Sequence, residues 1–167
     1  MRQYSIANWR DKRNMWRVII SLGLSLILST LPIGGLWSTL FPHLAALVLL
    51  YWAINAQRLE CPLGIAFLVG LIFDWLSGGI YGLHSITFVL VAIVASRQSV
   101  YFQTATPIQQ ILRVFLVFSG IEIGVFGLIE LFTYESLIAL SDIYRIILTA
   151  LVWPAMRATL SFTFSRG

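Results

Sequence analysis

Residues 18–57 read VIISLGLSLILSTLPIGGLWSTLFPHLAALVLLYWAINAQ, which is 40 consecutive positions without a formally charged side chain. A second uncharged run, WLSGGIYGLHSITFVLVAIVAS, occupies the 22 positions 75–96. A helix that crosses the hydrocarbon core of a bilayer needs about 20 mostly apolar residues. Both runs therefore predict membrane-spanning helices, and the first is long enough for two of them.

The composition of the whole chain agrees with a membrane protein. Of its residues 59% are hydrophobic and 11% are charged, and the mean hydropathy is +0.88. A soluble domain carries about 25% charged residues, so most of the outer surface of this chain must meet lipid. The one cysteine, Cys61, cannot form an internal disulfide, and the sequence has no Cys/His cluster for a metal. We expect no cofactor.

The apolar runs and the turn residues between them predict an all-α membrane protein with about six transmembrane helices. A glycine-rich reversal at 77–82 and a polar stretch at 97–110 separate the later helices. Pro154 is expected to kink the last helix. The predicted helices cover residues 17–36, 42–56, 62–76, 83–96, 111–132 and 143–160. In domain terms this is a basic tail at 1–16, one transmembrane domain at 17–162 and a short tail at 163–167.

The basic residues predict that both ends of the chain face the cytoplasm, because Lys and Arg concentrate in cytoplasmic segments. With this orientation only Arg145 lies on the outer side. Four basic residues near the start, Arg10, Lys12, Arg13 and Arg17, are expected to meet the anionic inner leaflet. The net charge of +4 is spread over membrane-flanking positions, so we expect no nucleic-acid partner. The inner positions are Arg2, Arg10, Lys12, Arg13, Arg17, Arg58, Arg97, Arg113, Arg157 and Arg166.

Residues 62–96 leave one question of topology open. They provide 35 positions for two crossings, which puts each crossing at the short end of the usual range. The pair either spans the bilayer or forms a re-entrant hairpin shielded by other helices. Both arrangements return the chain to the cytoplasmic side.

Asp74 is the first candidate for a functional residue, because a carboxylate in an apolar helix costs about 2.5–3.5 kcal/mol on insertion scales. It lies in the segment GLIFDWLSG at 70–78, and Gly70 shares its helix face. One interpretation is a polar contact inside the bundle or with a partner, beside which Gly70 allows a helix to approach. The other is a hydrated carboxylate near the outer helix end.

Glu122 is the second candidate, since it lies within the fifth predicted helix. We expect it to have a cationic or polar partner. His43 and His84 are expected to be hydrogen-bonded interface residues rather than proton carriers or ligands. The partners considered for Glu122 are Arg113, Arg145, His84 and Ser85.

Ser21, Ser25 and Ser29 recur every four residues and form one stripe on the first helix. Small residues suit close helix contacts, either with a partner or within this chain. Enzyme motifs are absent: the sequence has no Gly-x-Ser-x-Gly, no His-Glu-x-x-His and no phosphate-binding glycine loop with lysine.

One region combines several of these features. It contains YWAIN at 51–55, Arg58, GIAFLVGLIFDWLSG at 64–78 and GLH at 82–84. Further distinctive residues lie outside this region: Pro42, Glu122, and the Trp153-Pro154 and Met156-Arg157 pairs. In these residues, and in length, the chain resembles the MreD family of rod shape-determining membrane proteins over nearly its whole extent.

The resemblance implies a non-enzymatic inner-membrane component of the cell-wall elongation machinery. It implies an MreC-like membrane partner and, indirectly, MreB, RodZ, RodA and a class B penicillin-binding protein. It also implies a fold like the substrate-binding S-component of energy-coupling-factor (ECF) transporters. Gly70, Asp74, Ser77 and Gly78 match the central motif of the family, and with Glu122 they are expected to serve a partner interface or a polar contact in the bundle.

Two other functions are considered. The fold likeness suggests a small-molecule-binding subunit of a transporter, but the predicted outer loops at 36–41 and 77–82 are short and apolar. A membrane enzyme or flippase is disfavoured because the motifs are missing.

Overall fold

The computed structural model describes residues 12–30, 42–55, 62–78, 81–133 and 140–164. Within these residues every regular element is a helix, which confirms the all-α class. We number the helices α1 to α7 in chain order: Lys12–Thr30, Leu44–Asn55, Pro62–Ser77, Leu83–Arg97, Ser99–Thr104, Pro107–Thr133 and Leu140–Phe164.

Each predicted helix has a counterpart among the described residues, but positions 31–36 and 56, predicted to end the first two helices, lie outside those residues. Two differences fall at polar segments. The short α5, Ser99–Thr104, falls in the stretch that was predicted to be non-helical. The same stretch also supplies the start of α6, which begins at Pro107, since proline suits a first helical turn. The polar residues of this stretch therefore lie largely on helices, where some are exposed and others, such as Gln110, are buried.

α2 forms the centre of the bundle. Nine of its 12 residues are buried, and it packs against α1, α4, α5 and α7. A helix that is apolar on all sides belongs inside a protein or a membrane. Such apolarity fits an interior position as well as a lipid-facing one, and the contacts of α2 with four neighbouring helices place it in the interior.

The outer surface of the bundle is apolar. Large side chains such as Ile20 on α1, Leu116 on α6 and Leu151 on α7 are more than half exposed. Among the described residues, α6 and α7 contain segments long and apolar enough to cross a membrane, Pro107–Leu128 and Ser141–Phe162. The apolar parts of α1 to α4 are shorter, at 10–17 residues.

A polar network joins α5, α6 and α7 at one end of the bundle. The Gln110 amide donates to the carbonyl oxygens of Phe102, at 3.1 Å, and Ala105, at 2.9 Å. Its own oxygen accepts from Trp153 Nε1 at 3.2 Å. Gln110 is 4% exposed and Trp153 2% exposed, so these bonds satisfy polar groups that lipid could not. Pro154 lies within α7.

Candidate functional site: two histidine–carboxylate pairs in the bundle

The backbones of α3 and α4 touch at Gly70. A Cβ atom placed on Gly70 would lie 2.4 Å from Ser85 Cα and 2.9 Å from the His84 carbonyl oxygen. Such distances are far below van der Waals contact, and both neighbours are backbone atoms that cannot move aside separately. Only glycine therefore fits this crossing, and its absent side chain brings the start of α4 against the face of α3 that also carries Asp74.

Asp74 caps the first turn of α4 from the preceding helix. Its carboxylate accepts from the backbone N–H groups of Gly82 at 2.8 Å, His84 at 3.1 Å and Ser85 at 3.4 Å. The Ser85 hydroxyl adds a fourth bond at 3.2 Å. The first N–H groups of a helix have no partner within the helix, and a negative charge is favourable at that end. The carboxylate thus supplies the hydrogen-bond acceptor and the negative charge that the first turn of α4 lacks in its own sequence.

His84 completes this first pair. Its Nδ1 lies 2.7 Å from Asp74 Oδ1. An ionised carboxylate only accepts hydrogen bonds, so this contact requires a proton on Nδ1. Asp74 is 0% exposed, and the Phe73 ring lies against His84 with centroids 4.6 Å apart. The interpretation of Asp74 as a hydrated carboxylate is therefore wrong, and its contact lies inside the bundle.

Ser77 and Gly78 complete the motif as turn residues. The exposed Ser77 donates from its hydroxyl to the Asp74 carbonyl oxygen at 3.3 Å. Gly78 and Gly82 have φ angles of +65° and +92°, a region that side chains disfavour. They lie at the end of α3 and directly before α4. The predicted motif residues 70–78 are thus brought together at one corner of the fold.

Glu122 lies in a second pair, away from that corner. Its Oε1 is 2.9 Å from His43 Nε2, and the backbone N–H of His43 donates to Thr149 Oγ1 at 3.1 Å. The expected partners of Glu122 were wrong. Arg145 pairs with Asp142 at 2.8 Å, His84 and Ser85 bind Asp74, and Arg113 lies over the Tyr101 ring at 5.3 Å.

Sequence reasoning missed both histidine partners for different reasons. Asp74 and His84 flank the glycine reversal, so their proximity could have been inferred from the short α3–α4 connection. His43 and Glu122 are far apart in the chain, and no local pattern links them. Only the packing of α2 against its neighbours places His43 beside α6.

The serine stripe of α1 serves contacts within this chain. Ser21 Oγ accepts from Trp52 Nε1 on α2 at 2.8 Å. Ser25 is 5% exposed and donates to the Leu22 carbonyl oxygen at 2.8 Å. Ser29 lines a small cavity beside His43. Of the two interpretations of the stripe, packing inside the monomer is the one that the structure supports.

The basic residues near the start of the chain are described only in part. Arg10 lies outside the described residues. Lys12 and Arg13 lie on the first turn of α1, which begins five residues before the predicted helix start. Arg17 follows on the next turn and is half-buried. Their expected contact with the inner leaflet stays a prediction.

The site offers no metal-binding cluster among the described residues, since no three His, Cys, Asp or Glu side chains come together there. Its charged side chains are paired: Asp74 lies beside His84, and Glu122 lies beside His43. Asp74 also accepts hydrogen bonds from backbone N–H groups. Polar pairs inside and apolar side chains outside define a helical protein built for lipid.

Comparison with protein families identifies the class more closely. A family model described as rod shape-determining protein MreD matches residues 10–163. The chain belongs to the MreD family. Members of this family are membrane proteins with a role in rod-shape determination, and the family is not a known enzyme family. Comparisons with curated proteins and with solved structures each found no match, so the likeness to ECF S-components stays a prediction.

Proposed function

We propose that this chain is a non-enzymatic, multi-pass component of the cell-wall elongation complex in the bacterial inner membrane. It spans the bilayer six times with both ends in the cytoplasm. It binds the single membrane anchor of an MreC-like protein within the bilayer. Through that partner it links MreB filaments and RodZ to the peptidoglycan synthases, RodA and a class B penicillin-binding protein.

The observation that supports this proposal is an apolar groove between α4 and α6. The groove has a volume of about 680 Å³. Apart from the Tyr81 hydroxyl, its side chains are apolar, and two glycines of α6 form part of its floor. The lining residues are Tyr81, Gly82, Leu83, Ile86, Leu90, Gly120, Ile121, Gly124, Val125 and Leu128.

The glycines of α6 differ from Gly70 in having nothing to contact. A Cβ atom at Gly120 or Gly124 would have no heavy atom within 4 Å beyond its own helix backbone. Glycines four residues apart lie on one helix face and let a second helix approach closely in a membrane. Since no helix in the described part of the chain uses this face, a helix from another protein is the occupant that we propose.

The rival transporter function finds less support in these cavities. Small-molecule sites are usually about 300–1,000 Å³ and combine an apolar wall with a few convergent polar groups. The groove has the volume but an almost wholly apolar lining. The polar cavity beside His43 has suitable groups, but its volume is about 70 Å³.

Copurification from native membranes tests the proposal. The tagged chain is extracted in mild detergent as wild type, as Gly124→Leu and as Gly23→Leu, and bound proteins are identified by mass spectrometry. Gly124→Leu fills the groove and should reduce recovery of the MreC-like protein at least tenfold. Gly23 on α1 also has open space around it, so Gly23→Leu should retain wild-type recovery.

Two outcomes would contradict the proposal. Equal recovery of the partner with Gly124→Leu and wild type would exclude the groove as its binding surface. Recovery of an ATPase module in place of wall-synthesis proteins would make the chain a transporter subunit.

A further inference from the structure

A small polar cavity of about 70 Å³ lies inside the bundle, separate from the apolar groove. It is lined by Ser29 at the end of α1, His43 just before α2 and Arg145 on α7. The rings of Phe73 and Phe88 form another wall and lie between this cavity and His84. Three separate parts of the chain therefore place polar side chains around one space.

One polar atom from each of these side chains is buried without a hydrogen-bond partner among the described residues. The atoms are Ser29 Oγ, His43 Nε2 and Arg145 Nε. His43 Nε2 lies 2.9 Å from Glu122 Oε1, which is an ion-pair distance, but it makes no well-directed N–H···O bond. Buried polar groups in folded proteins are nearly always satisfied, by protein or by ordered water.

The size and the chemistry of the cavity both fit water. A water molecule occupies about 30 Å³ in the liquid, and a buried water needs two to four polar partners. The cavity volume therefore accommodates about two molecules. Arg145 Nε can only donate, whereas the Ser29 hydroxyl both donates and accepts. An occupant that both accepts and donates satisfies this set.

The charges around the cavity favour a neutral occupant. Arg145 is paired with Asp142 at 2.8 Å, and His43 faces the Glu122 carboxylate. An anion would be repelled by that carboxylate, and a cation by the guanidinium. We propose that the cavity holds about two ordered waters, which bridge Ser29, His43 and Arg145 and so connect α1, α2 and α7 inside the membrane domain.

Solid-state NMR of the full chain in lipid bilayers tests this inference. The chain has two histidines, so ring ¹⁵N labelling gives two resolvable side chains. The measurement is the rate at which water protons transfer magnetisation to the His43 ring. We expect a several-fold faster transfer in wild type than in Ser29→Val, which replaces the hydroxyl by hydrocarbon and reduces the space.

The controls separate cavity water from surface water and from misfolding. Ser29→Thr keeps a hydroxyl and should retain fast transfer. An unchanged His84 ring shift shows that the Asp74 pair is intact in each variant. If Ser29→Val changes that shift, Ala45→Val fills the same cavity from α2 and takes its place.

Either of two results would overturn the inference. Slow transfer to His43 in wild type, equal to that in the filled variant, would mean a dry cavity. Fast transfer in both would mean that the water reaches His43 from the outer surface of the protein.

Discussion

At the scale of single residues, two glycines of this protein differ in what surrounds the position of the missing side chain. Gly70 has backbone atoms where its side chain would be, whereas Gly124 has open space. Both follow the small-residue pattern of membrane helices in the sequence, and the pattern alone does not distinguish them. The structure places Gly70 at a tight helix crossing and Gly124 on an exposed helix face of the described residues.

This difference predicts opposite effects of the same substitution. Gly70→Ala forces α3 and α4 apart and should lower the free energy of unfolding by about 1–3 kcal/mol, the usual cost of overpacking. Gly124→Ala should leave it unchanged or raise it by up to about 1 kcal/mol, because alanine is the better helix former. Reversible unfolding in detergent micelles measures both. Equal stabilities of the two variants would contradict the close approach at Gly70.

Asp74 should matter for stability through the start of α4. Asp74→Ala leaves the N–H groups of Gly82, His84 and Ser85 without an acceptor, and an unsatisfied buried group costs about 1–3 kcal/mol. We expect a total loss of about 3 kcal/mol or more. Asp74→Asn keeps one acceptor oxygen and should lose less. The same unfolding measurement applies.

Asp142→Asn is the matched control for the Asp74 variants. It removes a carboxylate that is paired with Arg145 but partly exposed, where ion pairs contribute about 1 kcal/mol or less. A cost for Asp74→Ala no larger than that for Asp142→Asn would contradict the capping role.

At the scale of elements, the α3–α4 hairpin is short for a membrane. Its helices have 16 and 15 residues, which gives lengths of about 24 and 22 Å against a hydrocarbon core of about 30 Å. Trp75 and Tyr81 beside the turn are largely exposed. Such aromatic residues favour the membrane–water interface. The proposed crossing would therefore reach the outer interface through a locally thinned bilayer.

Cysteine labelling distinguishes a crossing from a re-entrant hairpin. In a Cys61→Ser background, Ser77→Cys should react with a membrane-impermeant maleimide. The reaction uses cells whose inner membrane is intact and whose outer layers admit the reagent. Thr104→Cys, at the exposed end of α5, should react only after the inner membrane is opened. If Ser77→Cys stays unlabelled until then, the hairpin does not cross the bilayer.

The length and apolarity of each helix determine whether the sequence alone could predict it. The apolar runs and the turn residues between them predicted α1 to α4, α6 and α7, because lipid requires continuous apolar helices. The short α5 carries too few residues for a periodic pattern, and tertiary contacts through Phe102 hold it in place. Within the candidate site, Gly70 and Asp74 were identifiable as an unusual pair in an apolar helix, but the partner of Glu122 depends on packing between distant segments.

At the scale of the whole molecule, the distribution of polar groups is that of a membrane protein. Charged pairs lie within the bundle, and the exposed faces of α1, α6 and α7 are apolar. The family assignment gives a role in rod-shape determination. The groove between α4 and α6 supplies the surface through which, as proposed, the chain would take part in a larger assembly.

Photocrosslinking in native membranes tests the proposed partner binding most directly. A photoreactive phenylalanine analogue replaces Ile86, which lines the groove, or Leu24, which is similarly exposed on α1. The proposed docking predicts a crosslink from position 86 to a single-span MreC-like protein and none from position 24. Equal crosslinking from both positions, or none from position 86 while the partner still copurifies, would contradict it.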